Sequence, residues 1–234
     1  MLETFSKSKK NNTMKALIAL AKYYGRYREF KERLKDYGIT WGRSSSIDAF
    51  FRMINHSNSD VIKWYKDASK VLDGSCPKYL EFTLKSGLRS NEAIESFNII
   101  ISLREQGKLN EYYNEALETL EHFRFPKVFF RNTKNAFLTM IPQHLVNEIS
   151  KCKPMTYSTI RNRLLRRKMR VRMNELRDYY GTFMVRHGLI REEVDLLQGR
   201  IGKSVFVRHY FSPAINELKQ RVFKALNDLE ETLS

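Results

Sequence analysis

The spacing of hydrophobic residues predicts helices along most of the chain. From Thr13 onward, apolar side chains recur at helical spacing and share one face, and this pattern ends at Gly38. The members of that face are Leu17, Ile18, Leu20, Ala21 and Tyr24. Residues 1–12 are polar and basic, so we expect a loose tail there, and WGRSSS at 41–46 predicts a linker or turn.

Further helices are predicted from the end of this linker to about Leu103, with breaks at the HSNS and GSCP stretches. Pro77 of GSCP should stand in the first turn of a helix, where its missing N–H costs nothing. The polar stretch from Glu105 to His122 predicts another helix. Helices resume after Pro142 and near Thr156 and Ser158, either of which can cap a helix N-terminus.

One segment carries a strand pattern. In KVFFRNTKNAFLTMIP, residues 127–142, two runs rich in Val, Phe, Thr and Ile flank the turn-forming NTKN. This arrangement is typical of a β-hairpin. The sequence therefore predicts a mainly α fold with one small β-hairpin or sheet, which is an α+β class.

Charge points to the kind of partner. The chain has 234 residues, of which 42 are Lys or Arg and 26 are Asp or Glu, so its formal net charge is +16. Hydrophobic residues make up 42%, which is enough for a buried core and excludes a disordered chain. An excess of positive charge this large favours a polyanionic partner.

Cysteine use and apolar runs indicate the compartment. Cys76 and Cys152 are too few and too far apart in sequence for a disulfide scaffold, which favours a reducing, cytoplasmic location. No apolar run approaches the roughly 20 residues that a membrane-spanning helix needs, and the N-terminus does not resemble a signal peptide. We therefore expect no membrane partner.

A basic segment, defined here as residues 161–172, holds seven cations and no acid. These cations are Arg161, Arg163, Arg166, Arg167, Lys168, Arg170 and Arg172. A solvated helix face normally mixes charge signs, so binding to the phosphates of double-stranded DNA is the favoured interpretation. An ordinary charged surface is the alternative, and an acidic membrane is a weaker one because the segment lacks a large apolar face.

Motifs for metal and nucleotide chemistry are missing from the sequence. The five histidines show neither HxxxH nor HxxH spacing, and no pair of cysteines accompanies them. There is no GxxxxGK[ST], GxGxxG or GxSxG motif. We therefore expect no metal site and no cofactor.

Four blocks occur in an order that resembles the tyrosine recombinases, or phage-type integrases. SGLRSNEAI around Arg89 resembles their TGLRxSE signature, and Lys134 in the predicted hairpin stands where they carry a lysine. NELRDYYGTFMVRHGL is similar to their HxLRHTFAT block and contains Arg177. LLQGRIGKSVFVRHYF is similar to their LLGH…Y block, with Arg200 at the His/Trp position and Tyr210 at the tyrosine.

The resemblance implies a catalytic role for each of these residues. Arg89, Arg177 and Arg200 would hold the scissile phosphate, because planar guanidiniums present forked donors to phosphoryl oxygens. Lys134 would be the general acid, and Tyr210 would be the nucleophile that forms a 3′-phosphotyrosyl bond. Each has an alternative: an ordinary surface or turn residue, a plain DNA contact for Arg177 and Arg200, or one of the other eleven tyrosines in place of Tyr210.

Two positions depart from the family pattern. Asn174 occupies the position that usually holds His or Lys, and an amide cannot accept a proton as a base. Arg200 replaces a neutral or titratable donor with a fixed cation. Both departures, together with the Lys- and Arg-rich composition, favour a divergent branch such as the integrases of archaeal viruses or plasmids.

The resemblance also implies a domain organisation. We expect residues 1–40 to be a tail and helix left from a DNA-binding clamp domain, and 41–234 to be the catalytic domain. An amphipathic helix at 213–234 would either pack on its own domain or join a neighbouring protomer in a homotetramer on DNA. A type IB topoisomerase and a non-enzymatic basic DNA-binding protein are the rival functions.

Overall fold

The computed structural model describes residues 5–40, 58–131, 135–200 and 214–233, together with the single positions Ile47 and Phe50. Contacts divide the chain into two compact units, residues 1–56 and 57–234. This division lies after the expected boundary at 40/41, which stays a prediction.

The described stretch 5–40 of the first unit contains two helices, α1 (Lys7–Tyr23) and α2 (Tyr27–Asp36). The side chain of Ser6 accepts a hydrogen bond from the backbone N–H of Lys9 and so caps α1, which begins inside the stretch expected to be loose. The single helical pattern up to Gly38 is interrupted because Gly25 adopts a φ of +68° between the two helices.

The second unit is built mainly from helices. They are α3 (Asn58–Val71), α4 (Cys76–Ser86), α5 (Ser90–Glu105), α6 (Pro126–Phe129), α7 (Gln143–Ile149), α8 (Tyr157–Arg166), α9 (Met173–Arg186), α10 (Arg191–Leu197) and α11 (Ile215–Leu233). Two 3₁₀ turns lie at Leu109–Glu111 and His122–Arg124. Pro77 stands in the first turn of α4, and Thr156 caps α8 by accepting from the N–H of Thr159 at 3.2 Å, as predicted.

A small antiparallel sheet joins β1 (Tyr113–Asn114), β2 (Thr119–Leu120) and β3 (Thr139–Met140) in that order. The helix predicted from Glu105 to His122 was therefore wrong. Gly107 adopts a φ of +70° and ends α5, after which the chain turns into β1 and β2.

The arms of the predicted hairpin were also wrong, although the mainly α fold with a small sheet is confirmed. Pro126 begins the short helix α6, so residues 127–129 are helical rather than extended. Strand β3 pairs with β2. Between the two predicted arms, the described residues form one isolated bridge, from Phe130 to Asn135.

The core of the second unit lies where α9 packs against α4, with α5 beside it. Helix α11 adds its own apolar side chains to this core: Leu218, Val222, Ala225, Leu226 and Leu229. Lys85 of α4 is buried and its Nζ lies 2.6 Å from an Oε1 of Glu230, which ties α11 to the same domain. Helix α11 thus packs on its own chain here, and its role in assembly stays a prediction. None of the described helices is both long enough and apolar enough to cross a bilayer.

A buried polar network connects the sheet to helix α5. The Tyr112 hydroxyl lies 2.9 Å from the Ser96 hydroxyl and 2.7 Å from Nδ1 of His122. The other ring nitrogen of His122 lies 2.8 Å from the Thr139 hydroxyl of β3. Burial lowers the pKa of His122 to about 3, so the ring is neutral at physiological pH and links helix α5 to β3.

Candidate active site

Arg89 lies in the tight junction between α4 and α5. Gly87 ends α4 with a φ of +62°, and a Cβ at this position would come within 2.3 Å of the Tyr180 ring, so the junction admits only glycine. One Nη of Arg89 lies 2.6 Å from Oε1 of Glu92, and the other carboxylate oxygen accepts from the Arg89 backbone N–H at 3.1 Å. Glu92 is 1% exposed, so this ion pair is shielded from water.

Arg177 is buried in the middle of α9 and is 5% exposed. Its Nη1 donates to the carbonyl of Gly87 at 2.6 Å, and its Nη2 donates to the carbonyl of Gln198 at 2.6 Å. The side-chain amide of Gln198 returns a hydrogen bond to the Arg177 carbonyl at 2.9 Å. The guanidinium therefore joins the segment that carries Arg89 to the segment that carries Arg200.

Arg177 lies in the positive field of two further guanidiniums, those of Arg89 and Arg200. The pKa of Arg177 falls to about 10, chiefly because burial removes water from the cation, and further because Arg89 and Arg200 are positive. Both Nη contacts of Arg177 are neutral carbonyls, and the nearby carboxylates of Glu92 and Asp178 offset the three cations only in part. The cluster therefore has an excess of positive charge that a bound anion would balance.

Gln198 and Gly199 were not predicted as site residues. Gln198 is 2% exposed and follows α10, where it makes the two hydrogen bonds with Arg177 described above. Gly199 adopts a φ of +64° and leads directly into Arg200, whose side chain is exposed. The only sequence signal for either residue is its place inside LLQGR, next to a predicted catalytic position.

Asn174 also reaches this site. It lies in the first turn of α9, and its Oδ1 is 2.7 Å from the Ser90 hydroxyl, which directly follows Arg89. The Tyr79 hydroxyl in turn donates to the Ser90 carbonyl at 2.9 Å. Asn174 thus lies beside the Arg89 junction as a hydrogen-bonding residue.

The structure brings together Arg89, Asn174, Arg177 and Arg200, whereas Lys134 and Tyr210 lie outside the described residues. A cavity of about 550 Å³ borders the cluster and is lined in part by Asp178, Gln198 and Arg200. Within the described ranges, no three His, Cys, Asp or Glu side chains gather as a metal ion would need.

The basic segment divides into paired and unpaired cations. Arg163 lies 2.6 Å from a carboxylate oxygen of Asp73, and Arg172 pairs with Glu175. The other five side chains are exposed and form no ion pair within the described part of the chain: Arg161, Arg166, Arg167, Lys168 and Arg170.

The segment is fastened to α3 through one of its backbone carbonyls and one of its side chains. The indole N–H of Trp64 donates to the carbonyl of Arg170 at 2.9 Å, and Arg172 donates to the carbonyl of Asp60 at 3.2 Å. A fixed backbone with free cationic side chains presents donors to a phosphate backbone at little entropic cost.

Comparison with known proteins identifies the family of the chain. The family model described as archaeal phage integrase matches residues 54–224, which is more than half of the chain. No curated protein and no solved structure matches the chain. The match covers Arg89, Arg177 and the basic segment, and it confirms the resemblance that the four sequence blocks carry. This chain belongs to the archaeal phage integrase family.

Proposed function

We propose that this integrase-family chain, whose partner is DNA, is a tyrosine-type site-specific recombinase that cleaves and rejoins strands through a 3′-phosphotyrosyl intermediate. Tyr210 is the nucleophile, and neither a metal nor ATP takes part. The observation that carries the proposal is the buried guanidinium of Arg177, whose two Nη atoms are held by carbonyls while two further guanidiniums lie close by.

This cluster suits a phosphodiester whose negative charge increases in the transition state. Donors that are already fixed need not reorganise when that charge develops, which is how such groups lower a barrier. Arg89 is fixed by Glu92, and Arg177 is fixed by two main-chain segments. Arg200 is the exposed member and is free to turn toward a bound phosphate.

The remaining steps are assigned to residues outside the described ranges. The Tyr210 oxygen attacks phosphorus, its proton passes to solvent, and the bond from phosphorus to the 5′ oxygen breaks. Lys134 gives that oxygen a proton as general acid. Because the phosphotyrosyl bond retains the energy of the broken bond, the reverse attack by a 5′ hydroxyl reseals the strand.

The exposed cations of the basic segment hold DNA in this scheme, and a homotetramer forms on two duplexes. Helix α11 packs on its own domain through side chains such as Val222 and Leu226. If helix α11 joined a neighbouring protomer, it would replace these contacts with equivalent ones on that protomer. Deletion of residues 214–234 is therefore expected to expose the core as well as impair assembly.

A covalent-trapping assay tests the proposal. The protein is mixed, without metal or ATP, with nicked duplexes that lose a short fragment after cleavage, and DNA that stays attached in SDS is measured. We expect an adduct with the wild type and none with Tyr210→Phe. Tyr179→Phe is the matched control, because Tyr179 lies two residues from Arg177 and is expected to leave the adduct intact.

The rivals give other outcomes. An adduct that persists in Tyr210→Phe would assign the nucleophile elsewhere. Tight, salt-sensitive DNA binding with no adduct on any substrate would favour the non-enzymatic binding protein. Relaxation of supercoiled plasmid without any joining of two duplexes would favour the topoisomerase.

A further inference from the structure

We infer that Gly199 is a positioning residue for the general acid, because it fixes Asn135, the residue after Lys134, beside the Arg177–Arg200 cluster. The inference rests on the proposed function. Its basis is a direct backbone approach between Gly199 and Asn135, the residue that follows Lys134 in the chain.

The approach leaves no room for a side chain. A Cβ built on Gly199 would lie 1.6 Å from the carbonyl oxygen of Asn135, 2.6 Å from its carbonyl carbon and 3.1 Å from Cα of Ala136. All three are backbone atoms, so no rotation of a neighbouring side chain could relieve the overlap. The φ of +64° at Gly199 is in addition a conformation that glycine adopts most readily.

The loop end that Gly199 contacts is itself tightly closed. The side-chain oxygen of Asn135 accepts from the N–H of Arg131 at 2.9 Å, and the N–H of Ala136 donates to the carbonyl of Phe129 at 3.2 Å. Phe130 and Asn135 form a β-bridge across the loop. A shift of Asn135 would therefore also disturb its contacts with residues 129–131.

The other side of the contact is equally fixed. Gln198, the residue before Gly199, exchanges two hydrogen bonds with Arg177. Arg200, the residue after it, donates its backbone N–H to the carbonyl of Asp195 at 2.6 Å. Gly199 is held between two hydrogen-bonded residues. Its contact with Asn135 therefore fixes Asn135 relative to the backbone segment that bonds Arg177.

This coupling matters for one step of the proposed reaction. When the Tyr210 oxygen bonds to phosphorus, the bond to the 5′ oxygen breaks, and that oxygen leaves as an alcohol only if the Lys134 ammonium supplies a proton. A displacement of about 1 Å in a positioned catalytic group can cost on the order of 100-fold in rate. Misplacement of the loop should therefore impair leaving-group protonation while phosphate binding persists.

The test compares two substrates in single-turnover cleavage. One is the ordinary duplex, and the other carries sulfur in place of the bridging 5′ oxygen at the scissile phosphate. A thiolate leaves without a proton donor because a thiol is far more acidic than an alcohol. We expect Gly199→Ala to lose on the order of 100-fold on the oxygen substrate and to recover to within a few fold of wild type on the sulfur substrate.

Three variants control the measurement. Lys134→Ala should show the same rescue by sulfur, and Arg177→Ala should be defective on both substrates. Gly107→Ala is matched for backbone strain, since Gly107 has a φ of +70° and no atom within 4 Å of a built Cβ, and it should cleave like the wild type.

Asn135→Ala, which removes the hydrogen bond from the N–H of Arg131, gives a second perturbation should Gly199→Ala fold poorly. Asn135→Asp should restore that hydrogen bond.

The outcomes separate the two proposals. Wild-type protein that cleaves neither substrate overturns the proposed function and this inference with it. If the wild type cleaves both, an equal loss on oxygen and sulfur in Gly199→Ala and Asn135→Ala overturns the inference alone, as does the absence of any loss.

Discussion

Two arginine-rich regions of this molecule are built in opposite ways. In the site cluster, Arg177 is buried, and its fork is fixed by the carbonyls of Gly87 and Gln198. In the basic segment, side chains such as Arg166 and Arg167 are exposed and have no ion-pair partner within the described residues. The same residue type is desolvated and immobile in one region and hydrated and free in the other.

This difference predicts separate roles for the two regions, one in DNA binding and the other in strand cleavage. Exposed cations attract DNA by releasing counterions from its backbone, and this contribution weakens steeply with salt. A buried, immobile cation is costly to maintain, but its field is stronger and is already oriented when a phosphate arrives. We therefore expect the basic segment to determine how tightly DNA binds and the cluster to determine how fast it is cut.

The largest expected effect comes from a substitution that tests the forked guanidinium of Arg177. Arg177→Lys keeps the charge but replaces the planar fork, whose Nη1 and Nη2 bond the carbonyls of Gly87 and Gln198, with a compact ammonium that does not reproduce this geometry. Single-turnover cleavage at saturating DNA should fall on the order of 1,000-fold. The salt dependence of DNA binding, measured by titration at several salt concentrations, should stay unchanged.

Arg170→Lys is the matched control for that substitution, because Arg170 is exposed and only its carbonyl is used, by Trp64. It should cleave as the wild type does. Comparable activity of Arg177→Lys and Arg170→Lys would break the comparison, since a point charge would then suffice at both positions.

A smaller effect, on affinity, distinguishes free from paired cations within the basic segment. Neutralising Arg161, Arg166 and Arg167 together with glutamine should reduce the slope of log affinity against log salt by about 2.7 and weaken binding roughly 100-fold at physiological salt. The rate of cleavage at saturating DNA should be retained, because the site cluster is untouched.

The double variant of Arg163 and Arg172 to glutamine is the counterpart. Both arginines already pair with carboxylates, of Asp73 and Glu175, so the slope should change by less than about 1 while the melting temperature falls. Equal slopes for the triple and the double variant would show that pairing does not decide which cations meet DNA.

What the sequence could predict follows the range of the interactions. Pro77 and Thr156 act on backbone groups within their own helical turn, and both stand where the sequence put them. The GLR and ELR blocks located Arg89 and Arg177, which the fold brings to one place. Such local interactions can be predicted because they depend on a few residues that are adjacent in sequence.

Interactions between distant segments left weaker signals. Strand β3 pairs with residues 119–120 instead of its predicted partner, because the pairing buries Leu120 and Met140 in the core, which a local pattern does not reveal. His122 is isolated in sequence, yet it bonds Tyr112 and Thr139 inside the core. Gln198 likewise acquires its role only when α10 meets α9.

The smallest expected effect concerns the stability of the cluster without DNA. The pKa of Arg177 in the fold, about 10, lies well below the ordinary value of an arginine, so the unfolded chain holds this proton more tightly. The charged guanidinium therefore opposes folding in full below about pH 10, and this cost shrinks as pH rises above that value or when an anion balances the charge. At pH 7, sulfate should raise the melting temperature of the wild type by roughly 3 °C relative to sodium chloride of equal ionic strength.

Arg177→Gln should lose this difference between sulfate and chloride, because it removes the buried charge. The triple variant of Arg161, Arg166 and Arg167 should keep it, since exposed cations gain little from one bound ion. Calorimetry of the three proteins measures the shift in each against its own baseline, so a lower starting stability in Arg177→Gln does not affect the comparison. A sulfate shift that survives in Arg177→Gln and vanishes in the triple variant would place the anion site in the basic segment and reverse the roles argued for the two regions.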